Sequence, residues 1–167
     1  MKKGILKDIQ EYTPSSYEDF RGELFTTWKK DEFKNIFGRE LEFVHDKTSV
    51  SKKHVLRGIH GDYKSWKLMI CNYGELYYVV VDNRPESPTY LEWDWDVLTA
   101  ENRKMLLIPP GFGSSFLVMS DLAVVNYKWA YPGEYPDVKD QFTLKWYDPE
   151  LSIHWPIHNP ILSERDA

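Results

Sequence analysis

The sequence of 167 residues contains a single cysteine, Cys71, and a net charge of only −5. One cysteine cannot form an internal disulfide or a thiolate metal cluster, and the apolar neighbours of Cys71 predict a buried thiol. The longest apolar runs are far shorter than the ~20 residues of a membrane-spanning helix. A mildly acidic chain also lacks the clustered positive charge that nucleic-acid binding requires. Because the N-terminal residues show no signal-peptide pattern, we expect a cytoplasmic protein that binds neither membranes nor nucleic acid.

Aromatic residues, in contrast, are abundant: they make up 16% of the chain and include seven tryptophans. Short β-forming segments alternate with turn residues, and no linker or repeat divides the chain. We therefore predict one domain over residues 1–167. The predicted strands cover residues 24–28, 42–47, 54–59, 67–71, 76–82, 90–95, 105–108, 116–119, 123–129 and 143–146, with a helix over 31–37 and a capped turn at 99–102. This pattern is typical of an all-β antiparallel jelly-roll sandwich with a few short helical turns.

Two predicted strands give information about faces. Residues 76–81 are apolar or aromatic at every position, which predicts that both faces of that strand are covered. In the strand at 123–129, Val125, Tyr127 and Trp129 share one face, whereas Asn126 and Lys128 share the other. Tyr127 is therefore predicted to point inward.

Most motifs that bind phosphate or metal are absent from the sequence. It has no glycine-rich phosphate loop and no nucleophile elbow. His154 and His158 have helical spacing, but Pro156 lies between them, so a helix that presents both to zinc is not expected. A metal-binding jelly roll would need further histidines near His60, yet the position two residues on is Asp62. We therefore expect no metal site.

A group of polar residues nevertheless interrupts the apolar strands. Each one taken alone also suits a packing or surface role. Together they suit metal-free proton transfer, with a histidine as base, a tyrosine as acid and a lysine that stabilises an oxyanion. The group consists of Arg57, His60, Lys67, Tyr127 and Asp166.

Ordered motifs relate the chain to one enzyme family. The segment Leu56-Arg57-Gly58-Ile59-His60 is followed by others in order along nearly the whole sequence, including Val81-Asp82-x-Arg84-x-x-Ser87-Pro88-Thr89, Ile108-Pro109-x-Gly111-Phe112, Tyr127-Lys128, Ile153-x-Trp155-Pro156 and Leu162-Ser163-x-x-Asp166. In these segments the chain closely resembles the nucleotide-diphospho-4-keto-sugar 3,5-epimerases. The resemblance implies a cupin-type jelly roll without metal or redox cofactor.

The resemblance also implies roles for the catalytic residues. His60 would remove the proton next to the keto carbon, and Asp166 would be its carboxylate partner. Lys67 would stabilise the enolate at the sugar's carbonyl oxygen. Tyr127 would return a proton from the opposite face.

Substrate binding and assembly follow from the same resemblance. Members of the family are homodimers, so a homodimer is expected here. Arg57 would hold the diphosphate of the nucleotide sugar, and Arg21 would do so from across the dimer interface.

The chain departs from the rhamnose-pathway members of the family at positions around the substrate. His45 and Lys47 lie where those enzymes have other polar residues, and Ser114 replaces a second histidine. These differences resemble the branch that epimerises GDP-4-keto-heptoses for capsular polysaccharide, which is the leading expectation. The dTDP-4-dehydrorhamnose reaction, a 3,4-ketoisomerase and a non-catalytic sugar-nucleotide-binding cupin remain as alternatives. The sequence does not decide between inversion at C3 alone and at both C3 and C5.

Overall fold

The computed structural model describes residues 6–167. Within this range the chain forms twelve β-strands, one α-helix and a 3₁₀ turn. The elements are β1 (Gln10–Tyr12), β2 (Ser16–Asp19), β3 (Gly22–Phe25), α1 (Lys30–Phe37), β4 (His45–Lys52), β5 (Leu56–Gly61), β6 (Trp66–Tyr73), β7 (Glu75–Asp82), β8 (Trp93–Thr99), β9 (Met105–Ile108), β10 (Phe112–Val118), β11 (Leu122–Ala130), the 3₁₀ turn Val138–Asp140 and β12 (Phe142–Thr143).

The strands form two five-stranded sheets and a separate hairpin. The first sheet has the order β1-β9-β6-β11-β4, the second has the order β12-β5-β10-β7-β8, and β2 pairs with β3. The strand pairs within these sheets are antiparallel. The predicted all-β antiparallel jelly-roll sandwich is therefore confirmed.

Strand β7 shows why the second sheet is buried on both faces. Tyr78 and Val80 belong to the core between the two sheets. The alternate residues Val79 and Val81 pack against apolar side chains of the C-terminal segment, residues 144–167. Covering by this segment explains the apolar run that the sequence analysis singled out. Cys71 is 1% exposed within the inter-sheet core, as predicted.

The differences from the predicted elements have tertiary causes. Strand β9 has the predicted bounds, and α1 begins one residue earlier than predicted. Strand β4 continues to Lys52, because it pairs with β11 over its full length. The predicted strand at 143–146 shrinks to two residues, after which Leu144 and Trp146 pack onto the second sheet as part of its cover. Strands β1 and β2 were not predicted. No helix in residues 6–167 is long and apolar enough to cross a membrane.

Candidate active site

A cavity of about 310 Å³ lies between the two sheets. The first sheet contributes Lys47, Lys67, Tyr127 and Trp129 to its lining, from β4, β6 and β11. The second sheet contributes Arg57, His60 and Ser114, from β5 and β10. A larger cavity, of about 490 Å³, is lined by Leu6, Asp94 and Trp95 among others, and contains none of the predicted catalytic residues. The predicted chemistry therefore points to the smaller cavity.

His60 and Asp166 form a hydrogen-bonded pair at this cavity. The distance between His60 Nε2 and Asp166 Oδ1 is 2.6 Å, although the residues are 106 positions apart in the chain. The second carboxylate oxygen accepts a hydrogen bond of 2.8 Å from the Ser163 hydroxyl. Burial opposes ionisation of Asp166, but the hydrogen bonds from His60 and Ser163 outweigh it and hold its pKa below the usual range. Because a carboxylate only accepts, Nε2 of neutral His60 carries the proton and Nδ1 has the free lone pair.

The C-terminal segment brings Asp166 to β5. Ile161 forms a parallel bridge with Val55. The Ile161 amide donates to the His54 carbonyl at 2.8 Å, and the Ile161 carbonyl accepts from the Leu56 amide at 3.0 Å. Beyond this bridge, the Asp166 amide donates to the Ser163 carbonyl at 3.0 Å and closes a turn. The carboxylate position therefore depends on backbone pairing at the start of β5.

Lys67 is a buried cation in the cavity wall. Its side chain donates a 3.3 Å hydrogen bond to the His60 carbonyl, and its Nζ lies 4.6 Å from the centre of the Trp129 ring. Within residues 6–167 no carboxylate lies within ion-pair distance of this ammonium group. Burial lowers the pKa of Lys67 to about 8. Lys67 is therefore still mainly charged at neutral pH, although its side chain is buried.

Tyr127 lines the cavity from β11, on the sheet opposite to the one that carries His60. It shares its face with Val125 and Trp129, and all three point into the sandwich as predicted. The cavity therefore places a phenol on one wall and an imidazole on the other.

The residues predicted to bind substrate fall into two groups. Arg57, Lys47 and Ser114 line the cavity. The Nε of Arg57 donates to the Ser51 hydroxyl at 3.0 Å, and Lys47 donates to the Tyr135 hydroxyl.

His45 and Arg21 do not line the cavity formed by the described residues of this single chain. The His45 ring packs against Tyr135, with 4.8 Å between the ring centres. Tyr135 lines the cavity and His45 does not, so the structure does not place His45 in contact with the substrate. Arg21 lies at the exposed turn of the β2–β3 hairpin, where its guanidinium pairs with Asp19. A role for Arg21 in the site therefore requires a second subunit.

The sequence analysis assigned no role to several residues that line the cavity. Trp129 lies on the same face of β11 as Tyr127, so the alternation of residues along this strand could have predicted that Trp129 reaches the cavity. Arg165 and Gln141 gave no comparable signal, because they lie in irregular segments. Arg165 donates to the Gln141 side-chain oxygen at 3.2 Å and to the Thr143 hydroxyl at 3.1 Å. Within residues 6–167 no three His, Cys, Asp or Glu side chains are grouped as a metal site.

Comparison with known proteins identifies the family. The sequence profile of dTDP-4-dehydrorhamnose 3,5-epimerase matches residues 3–167. The dTDP-4-dehydrorhamnose 3,5-epimerase of Shigella flexneri is 37% identical over 98% of this chain and 91% of its own length. The dTDP-4-dehydrorhamnose 3-epimerase of Streptomyces niveus is 34% identical over 96% of this chain and 78% of its own length.

A solved structure gives the same result. The dTDP-6-deoxy-D-glucose-3,5-epimerase of Legionella pneumophila, in complex with dTDP-4-keto-L-rhamnose, has a TM-score of 0.88 and 33% identity, covering 95% of this chain and 85% of that one. These relatives are named for dTDP sugars, so they do not support the expected GDP-heptose branch. The expectation of an isomerase is confirmed, and the chain belongs to the dTDP-4-dehydrorhamnose 3,5-epimerase family.

Proposed function

We propose that this protein epimerises a dTDP-4-keto-6-deoxy sugar at C3, and at C5, by proton transfer through an enolate. The observation that carries this proposal is the placement of His60 and Tyr127 on opposing walls of one cavity. Inversion needs a base on one face of the carbon and an acid on the other, and two groups on the same wall would only return the proton to the side it left.

The C4 ketone makes the hydrogens at C3 and C5 acidic. Nδ1 of His60 takes one of these protons, and the electron pair of the C–H bond moves into an enolate whose charge lies on the C4 oxygen. Tyr127 then gives its phenolic proton to the opposite face of the carbon, and the carbonyl re-forms. The phenolate regains a proton from solvent, and His60 releases the one it took. The oxidation level of the sugar is unchanged, so atoms and electrons balance without a redox partner.

Lys67 supports the enolate, because its ammonium lies at the His60 carbonyl and can face the C4 oxygen. A fixed cation in a poorly hydrated site stabilises an oxyanion more strongly than it would in water. Asp166 holds the His60 ring and stabilises the imidazolium that forms. General acid–base groups of this kind each contribute about 10²–10⁴-fold in rate.

Three cationic side chains supply binding for the diphosphate: Arg57, Lys47 and Arg165, all of which line the cavity. The planar guanidinium groups suit paired contacts with phosphate oxygens. In the homodimer that we propose, Arg21 of the exposed hairpin adds a further cation to the neighbouring subunit's site.

A GDP-4-keto-6-deoxy-heptose is the second candidate substrate. Ser114 lines the cavity where the rhamnose-pathway sequences have a histidine, and the shorter side chain leaves room for an additional carbon. Inversion at C3 alone is the alternative to inversion at both centres, because the relatives named above include both a 3,5-epimerase and a 3-epimerase.

The experiment is NMR of each nucleotide sugar incubated with the protein in deuterium oxide. We expect dTDP-4-keto-6-deoxyglucose to take up deuterium at C3 and C5 and to form new stereoisomers. Uptake at C3 alone would identify a 3-epimerase. Uptake only with the GDP-heptose would show that the substrate is a GDP sugar and contradict the proposed dTDP sugar. A product with its ketone at C3 would identify a ketoisomerase. No uptake with either sugar would contradict the proposed reaction and favour a binding protein.

Two variants and a control assign the catalytic groups. His60→Ala should lose deuterium uptake at both carbons, and Tyr127→Phe should lose inverted product while the protein still folds. His154→Ala is the control, because His154 packs against Trp93 outside the cavity, and it should behave like wild type. Normal exchange in His60→Ala would contradict the assignment of the base.

A further inference from the structure

Trp129 is a cavity residue to which the proposed reaction gives no role. It lies on β11 and is only 5% exposed. In the pairing of β11 with β6, Trp129 is the direct cross-strand partner of Lys67. Cross-strand partners carry their side chains on the same face of a sheet, so the register itself places the indole next to the lysine. The contact is therefore fixed by two paired strands and not by a loop.

The indole lies beside two ammonium groups. Lys67 Nζ is 4.6 Å from the centre of the Trp129 ring, and Lys47 Nζ is 5.5 Å from it. Both distances are within the range of a cation–π interaction, for which tryptophan is the strongest aromatic partner. The contact with Lys67 is the more strongly desolvated of the two, because that side chain is buried.

The other groups around Lys67 act on its charge in opposite directions. They include one carboxylate, that of Asp62, which favours the charged form, and two cations, which oppose it. Asp62 Oδ1 accepts from the amides of Lys64 and Ser65, its carbonyl accepts from the Gly111 amide, and within residues 6–167 no hydrogen bond joins Asp62 to Lys67. Strand β9 places Ile108 opposite Lys67 and contributes no charge. Among residues 6–167, the charged groups that act on Lys67 are Asp62, Lys47 and Arg165, and the His60 backbone carbonyl accepts its hydrogen bond.

We propose that Trp129 is a positioning residue: its indole face holds the Lys67 ammonium, charged, at the place where the enolate oxygen forms. This inference rests on the proposed function for the role of Lys67 in catalysis. The contact between indole and ammonium exists in the unliganded protein, and it can be measured without any substrate. Tests with and without substrate therefore separate a failure of this inference from a failure of the proposed reaction.

The first test is a pH titration of the unliganded protein labelled with ¹³C at the lysine ε-carbons. The Lys67 signal is assigned by its absence from Lys67→Met. In Trp129→Leu, which removes the aromatic face, we expect the pKa of Lys67 to fall by about one unit. In Trp129→Phe, which keeps a weaker face, we expect a value between those of wild type and Trp129→Leu.

The control for loss of an indole is Trp93→Leu, on β8 of the other sheet and outside the cavity. It should leave the Lys67 titration unchanged. An unchanged Lys67 titration in Trp129→Leu would overturn the proposal, and so would equal shifts in Trp129→Leu and Trp93→Leu. Trp129→Phe keeps the test decisive if Trp129→Leu does not fold, because a Lys67 titration equal to that of wild type in this variant would also overturn it.

The second test is the pH dependence of kcat with the accepted nucleotide sugar. Because catalysis needs charged Lys67, kcat should fall as the pH rises through the pKa of that lysine. The fall should begin about one pH unit lower in Trp129→Leu, while KM changes little. A Trp129→Leu variant whose kcat falls equally at all pH values would show a merely structural role and contradict the proposal.

Discussion

At the scale of single residues, Lys67 combines a proposed catalytic role with a cost to the stability of the folded protein. Its ammonium group is buried and forms no ion pair within residues 6–167, so the charged form is poorly solvated. Active sites often hold groups that destabilise the folded protein, because the chemistry needs them in an environment that folding would otherwise avoid. The lowered pKa of Lys67, about 8, shows how strongly burial disfavours its charged form.

Lys67→Met should therefore stabilise the protein while it abolishes turnover. The methionine fills a similar volume and removes the buried charge. The pKa of Lys67 is near 8 in the folded state and 10.5 in the unfolded state. At pH 7 this difference lowers the free energy of unfolding of wild type by about 3 kcal/mol. Urea unfolding at pH 7 measures the difference, and a variant less stable than wild type would contradict the argument.

The pH dependence provides a check with a definite sign. Between pH 8 and pH 10.5 the unfolded chain keeps the Lys67 proton that the folded protein has lost. The free energy of unfolding of wild type should therefore rise with pH relative to Lys67→Met across this window. Below pH 8 the full difference between the two proteins should remain.

At the scale of elements, the C-terminal segment has two functions. Its apolar residues cover the outer face of the second sheet, and its last turn supplies the carboxylate for His60. The bridge at Ile161 connects the two functions, because it aligns the segment with β5. The side chain of Ile161 is exposed, so its contribution lies in its backbone.

Ile161→Pro should weaken catalysis without unfolding the sandwich. Proline removes the amide that donates to the His54 carbonyl, and the Asp166 carboxylate would lose its fixed position. We expect kcat to fall by about tenfold or more, as for other losses of orientation at a general base. Ile161→Thr keeps the amide and is the matched control. Equal kcat in the two variants would show that the bridge does not position Asp166.

The elements also show where sequence reasoning was sufficient. The strong alternation in β11 and the apolar run in β7 predicted the faces that the structure has, because each pattern reports burial directly. Strand β1 is only three residues long, and its pairing with β9 depends on contacts distant in sequence. The same distinction between local patterns and contacts distant in sequence applies to the site. His60 and Lys67 lie in or beside recognisable motifs, whereas Arg165 reaches the cavity by an irregular path that no local pattern encodes.

At the scale of the whole molecule, the β2–β3 hairpin exposes apolar surface beside Arg21. Three of its large apolar side chains are among the most exposed in residues 6–167: Tyr17, Phe20 and Leu24. Contiguous exposed apolar residues often mark an interaction surface. The predicted homodimer gives this hairpin a function, because it would carry Arg21 to the neighbouring site.

Mixing inactive variants tests this arrangement. Arg21→Ala and His60→Ala should each be impaired alone. If Arg21 acts on the neighbouring subunit, a mixed dimer contains one site with both residues intact, and an equal mixture that exchanges subunits should regain about one quarter of wild-type activity. Light scattering should show a dimer. No recovery in a mixture that has formed mixed dimers would place Arg21 outside the partner's site.

The position of His60 and Tyr127 on opposite sheets has a consequence for how this enzyme can vary. In the proposed reaction, the gap between His60 and Tyr127 depends on the spacing of the two layers, to which buried side chains such as Val125 contribute. A smaller side chain at position 125 should change this gap, and with it the distance that each proton travels. Core residues that do not contact the sugar can therefore change the rate of proton transfer. They can also change the size of sugar that fits between the two sheets.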